Sequence, residues 1–167
     1  MKTAEAGSYS IVGFRARHPV DASALIRTFG QAGWRVQPVR ACVVFGRVHL
    51  ISAYMHAARA LDRGESTSMD LMTEVAHYAG CSRQLSKSLE AVRVENETEI
   101  ALVAVPALDG DEAERITGSM GLTRDDGLLE INSGKLKYAG LLGVDGVDCS
   151  TAADAVLEKI ALIDVER

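Results

Sequence analysis

Residues 47–62 read RVHLISAYMHAARALD, and the spacing within this stretch sets how the rest of the chain is divided. Leu50, Ile51, Tyr54, Ala57, Ala58 and Leu61 recur at helical period and fall on one face. Gly46 opens the segment and Gly64 closes it, so a helix over Arg47–Asp62 is predicted, with Leu50, Tyr54, Ala58 and Leu61 buried. On the opposite side His49, Ser52, His56, Arg59 and Arg63 share about 80° of arc, a polar and basic stripe expected to face solvent. Two further helices follow. One is expected over Met69–Ala79, capped from Ser66–Ser68 and stopped at Gly80, and one runs from Ser82 to about Val92.

Strands are expected on both sides of this helical block. Ser8–Arg17 carries Ile11, Val12 and Phe14, and Asp21 then caps a short helix that ends at Gly30–Gly33. Trp34–Phe45 reads as extended, and Pro38 within it points to a sheet edge. Ile100–Pro106 reads as a buried strand and Asp109–Gly121 as a helix. Leu128–Asn132 is a short apolar segment and Ser133–Leu142 is expected to be helical. Ser150 or Thr151 caps a last helix to about Ile160, with Leu162–Val165 as a closing strand. Strands and helices interleave, so the fold class is α/β or α+β, with a small sheet packed with helices in one compact domain spanning 1–167.

Composition limits the function classes. The chain has 167 residues, 47% apolar and 25% charged, which is globular rather than disordered. Aromatics are 5% with one tryptophan, too few for a platform of stacked aromatics. The cysteines, Cys42, Cys81 and Cys149, are odd in number and widely spaced, which suits a reducing compartment. The longest apolar run, Ile100–Leu108, is far short of a membrane span, and residues 1–10 carry no apolar signal segment. A cytoplasmic protein is expected.

The chemistry-bearing residues form no catalytic pattern. His49 and His56 stand about two turns apart, too far to share a metal, and H-x-x-x-H is absent. Cys81 lies beside a helix start but has no base paired with it in the sequence. The glycines give neither a P-loop nor a dinucleotide fingerprint. No catalytic residue, metal, cofactor or small-molecule substrate is therefore expected.

Charge placement says more. The chain as a whole carries −5, but residues 1–93 carry +5 and residues 94–167 carry −10. The first half can thus present a basic surface to phosphate. His49, His56, Arg59 and Arg63, with Arg83 at a helix start, are the candidates.

Three segments carry a family likeness: HLISAYMHAAR at 49–59, MTEVAHYAGCSRQL at 72–85 and VLEKIALI at 156–163, with LEIN at 129–132 between the last two. Together they resemble the small kinase-associated subunit family of the KEOPS (EKC) complex, the PRPK-binding-protein family, in its archaeal type. The likeness runs from about Ile11 to Val165, and the order and spacing of the segments carry it. It implies a non-catalytic subunit of the machinery that makes N6-threonylcarbamoyladenosine on tRNA. Such a subunit binds the N-terminal lobe of an atypical small kinase/ATPase and recruits tRNA through its 3′ CCA end. On this likeness His49, His56, Arg59, Arg63, Arg83 and Gln84 are expected to hold tRNA. Val156, Leu157, Ile160 and Ile163 are expected to divide between the core and the kinase contact. The alternative is a protein-interaction module that regulates the kinase without touching RNA. Two residues, Cys81 and Ser82, separate Gly80 from Arg83 where the family pattern has one.

Overall fold

The computed structural model describes residues 7–166; residues 1–6, part of the stretch expected to lack a signal segment, and residue 167 lie outside them. Strand β1 (Ser10–Ala16) leads to helix α1 (Ala22–Gln31) and strand β2 (Arg35–Arg40). A helical block follows: α2 (Arg47–Arg63), α3 (Leu71–Ala79) and α4 (Leu85–Val92). Then come β3 (Glu99–Val105), α5 (Gly110–Thr117), β4 (Leu122–Arg124) and the C-terminal α6 (Ala152–Val165). Short 3-10 helices occupy Ala41–Val43, Asp126–Leu129 and Ser133–Leu142.

The sheet order is β2-β3-β1-β4 and every neighbouring pair is antiparallel. Strand β3 lies between β1 and β2, and β1 lies between β3 and β4, which is the split βαββαβ arrangement of a ferredoxin-like sheet. The class is α+β. Ile100–Ala104 in β3 are all fully buried, so this strand has no solvent face. One side of the sheet, with Val12, Phe14, Val36, Ile100 and Leu102, packs on Leu25 and Phe29 of α1 and on Ala113 and Ile116 of α5. The other side, with Ile11, Val39, Ala101 and Val103, is covered by α2 and α3 of the block inserted between β2 and β3 and by the 3-10 segments at 41–43 and 126–129, with α6 packed on α2 and α3.

Local signals explain the boundaries. Asp21 caps α1 by accepting from Ala24 N at 3.0 Å, and Asp109 and Glu112 form a capping box on α5. Pro38 sits on edge strand β2, where a missing amide costs no ladder bond.

Several expectations are corrected. The cap of α3 is Asp70, accepting from Thr73 N, because the carboxylate stands three residues before that amide; the serines at 66 and 68 lie upstream. Leu162–Val165 continue α6 rather than forming a strand. β4 is too short for a periodic signal, and it closes the sheet edge against β1.

The largest correction concerns α2. Its buried residues are His49, Leu50, Ala53, Tyr54, Ala57 and Ala60. This arc is turned by about 70° from the apolar one, toward His49. Ala58 and Leu61 are only half-buried. The cause is the alanine ridge Ala53, Ala57 and Ala60, which lets α3 and α6 approach α2 closely.

Two glycines test the packing. A Cβ on Gly80 would lie 2.3 Å from Ser88 Cα, where the α3–α4 corner closes on itself, whereas a Cβ on Gly30 would meet nothing within 4 Å. Gly80→Ala is expected to destabilise by about 1–3 kcal/mol through overpacking of backbone. Gly30→Ala, in the last turn of α1, should stabilise by up to about 0.5–1 kcal/mol. Urea unfolding of both variants checks the pair; equal effects would contradict this packing.

Candidate nucleic-acid interface

The six residues expected to hold tRNA do not form one stripe. His49 is fully buried. Its Nδ1 accepts from Phe45 N at 3.2 Å and its Nε2–H donates to Ala79 O at 2.8 Å. The ring therefore links the α2 start to the α3 end as a core group, which corrects its placement on the solvent side. His56 is largely buried, and its Nδ1 contacts the Asp164 carboxylate of α6. Tyr78 donates its hydroxyl proton to the other oxygen of Asp164. Only Arg59 and Arg63 of the α2 set stand open to solvent.

Arg83 and Gln84 belong to a different feature. Gln84 is the N-cap of α4 and its side chain makes no capping bond. The corner before it is built by Ser88, whose Oγ accepts from Ser82 N and donates to Ser82 O, both at 3.1 Å. Ser82 Oγ in turn accepts from Gln84 N at 3.1 Å. Cys81 takes a left-handed backbone angle, φ 60°, to make the turn. These bonds aim Arg83 outward at the rim of a groove of about 560 Å³. Lys87 from the first turn of α4 and Lys159 from α6 line the same groove. Leu141, Leu162 and the backbone of Gly140 and Gly143 supply its apolar and small-residue walls. Glu166 closes one side, its carboxylate 3.2 Å from Arg83 Nε. Both side chains of that pair are about half exposed or more, so it holds only weakly.

The C-terminal segment thus reaches both basic features. Asp164 takes up His56 and Glu166 takes up Arg83. Sequence reasoning missed Lys87 and Lys159. Lys87 lies within one helical turn of Arg83 and Gln84, so helical spacing pointed to it; Lys159 arrives from a distant helix and has no local signal.

Of the residues proposed to divide between core and kinase, Val156, Ile160 and Ile163 are buried inside this domain. That removes them from any contact surface, because their face of α6 packs on α2, α3 and the segment 133–142. Leu157 is half-buried, and the large exposed apolar residues of α6 are Leu162 and Val165.

Two of the three cysteines are held as thiols by burial, and Cys149 is exposed. Burial pushes the Cys81 thiol up to about 12 and raises Cys42 as well. Burial lowers Lys135 to about 8, and its ammonium donates to Val44 O and Leu128 O, tying two 3-10 segments together. Among the described residues no group of three or more His, Cys, Asp or Glu could hold a metal ion. No helix among them is long and apolar enough to cross a membrane. In comparison with known proteins, no family model matches this chain and no curated protein matches it.

His49 gives an acid-sensitivity prediction. Burial, together with nearby Lys135, lowers it from 6.5 to about 4, against the Ala79 bond that raises it. A proton on Nδ1 would oppose the Phe45 amide. The unfolded chain therefore binds a proton that the folded chain refuses. Stability is full above about pH 6.5 and falls as pH drops from 6.5 toward 4, by roughly 3 kcal/mol at most from this group. His49→Gln, which keeps one donor and one acceptor, should flatten that slope in urea unfolding at neutral and acid pH.

Proposed function

We propose that this chain is a non-catalytic subunit that holds the 3′ end of a tRNA and docks on an atypical kinase/ATPase, the role implied by its resemblance to the KEOPS small-subunit family. On this reading it serves N6-threonylcarbamoyladenosine synthesis without performing the chemistry. The observation that carries the reading is the groove at the start of α4, where Arg83, Lys87 and Lys159 converge from two helices. Converging cations with a helix start suit phosphate. The apolar walls at Leu141 and Leu162 suit unstacked bases of a single-stranded end, which a duplex does not offer. The phosphate site is therefore Arg83 and Gln84 with Lys87 and Lys159. Arg59 and Arg63 lie apart from it, and His49 plays no direct part.

The kinase contact is assigned to the residues that α6 leaves accessible, Leu157 in part and Val165, which is 77% exposed. One observation favours the second reading, a kinase-binding module that does not touch RNA: Glu166 already neutralises Arg83 at the rim of the groove.

A gel-shift titration of the purified chain with intact tRNA and with tRNA lacking its CCA end separates the two. Intact tRNA should bind and the trimmed form should bind markedly less. Arg83→Glu with Lys159→Glu should lower affinity by about tenfold or more. It should also flatten the dependence of log K on log salt by roughly 0.7 per lost single-strand contact. No binding of intact tRNA by the wild type, with kinase still co-purifying, would leave the RNA-free module as the function, and unchanged tRNA affinity in the double variant would move the RNA contact away from this groove.

A further inference from the structure

The solvent side of α2 carries a seam that leaves Val48 and Met55 open among the described residues. Val48 and Met55 are 47% and 43% exposed. They stand seven residues apart and so lie on one line, two turns from each other. Half-buried Ser52 lies between them on that line, with Ile51 beside it. Large apolar side chains flanking a small one is the pattern of a helix that meets another helix.

Charge is distributed along the same line in a particular order. Beyond Met55 come Arg59 and Arg63, both exposed. Among the described residues neither has an ion-pair partner, unlike Arg15, Arg35, Arg40, Arg83, Arg93 and Arg124. At the other end, before Val48, the amide of Gly46 bonds to Leu129 O at 3.0 Å. This places Glu130 and Ile131 beside the helix start. A Cβ on Gly46 would lie 3.6 Å from Val48 and 3.8 Å from Ile131, so the two side chains flank one spot. Glu130 is exposed and lines a hollow of about 390 Å³ there, with Arg47, Asp126 and Ile131.

We propose that this face is a self-complementary interface, on which α2 of a second copy of this chain lies antiparallel about a two-fold axis between Ile51 and Ser52. Under that operation Val48 meets the partner's Met55, and Met55 meets the partner's Val48. Ser52 lies at the crossing, where a small side chain lets two helices approach. Arg59 of each copy comes opposite Glu130 of the partner subunit, at the hollow before its helix. One pair of residues thus supplies both halves of each contact, as a two-fold interface requires.

A second copy fits better than a nucleic acid, because the centre of the face is Val48 and Met55, which offer phosphate nothing. The face is one helix wide, smaller than the roughly 800 Å² per partner of a standard stable interface. Dimerisation is therefore weak and concentration-dependent.

Sedimentation velocity of the full chain from micromolar to millimolar concentration tests this. The wild type should shift toward dimer across that range. Val48→Asp and Met55→Asp should weaken association by about tenfold or more, as for central anchors. Circular dichroism and melting should be unchanged, since both side chains are exposed. Arg59→Glu alone and Glu130→Arg alone should each weaken association, and the two together should restore it, because the exchanged charges meet across the axis. A chain that stays monomeric at millimolar concentration overturns the proposal. So does a charge-swapped double variant no better than the singles. If Arg59→Glu instead lowers tRNA affinity while the wild type remains monomeric, the face belongs to RNA and the dimer is excluded.

Discussion

The structure depends on the burial of β3 on both faces. Ile100–Ala104 contain no polar side chain and are fully covered. A sheet of this topology with only α1 and α5 would leave the second face of β3 in water. Leaving side chains of valine or leucine size exposed forgoes about 1.5–3 kcal/mol each. The helical block between β2 and β3 removes that loss, and α6 returns from the far end of the chain to pack on α2 and α3. Everything proposed for function is built on this second layer. The groove lies between α4 and α6, and the exposed seam lies on the outer side of α2.

Much of the fold was legible because its signals are local. Asp21, Gly64 and the run from Ile100 each mark a boundary by capping, left-handed backbone or continuous burial, and each effect acts within a few residues. The face of α2 was misjudged because a period alone ranks alanine below leucine. In the packed helix Ala53, Ala57 and Ala60 are the contact, since small residues set how closely helices approach, while Leu61 lies at the margin. His49 followed from the same error. A histidine looks polar in a sequence, yet its two nitrogens are both satisfied by backbone groups that sequence cannot place.

The candidate site was legible only in part, for a related reason. Arg83 and Gln84 stand out next to a helix start, whereas Lys159 joins them only through the docking of α6. The overall asymmetry of charge also misleads if read as two separate surfaces. The acidic half sends Asp164 and Glu166 into the basic half, where they engage His56 and Arg83. Local potential at the groove is therefore set by a few side chains of opposite sign at close range, and not by the net charge of either half.

The edges of the sheet have a consequence beyond the fold itself. A sheet this apolar is a template for pairing with other chains if a long strand is left open at either side. Here one rim is β2, interrupted by Pro38, and the other is β4, only three residues long. Neither rim offers an unbroken ladder of amides and carbonyls. The chain can thus hold a strongly hydrophobic central strand at cellular concentrations without templating fibrils, and its contacts with other molecules are left to helix surfaces.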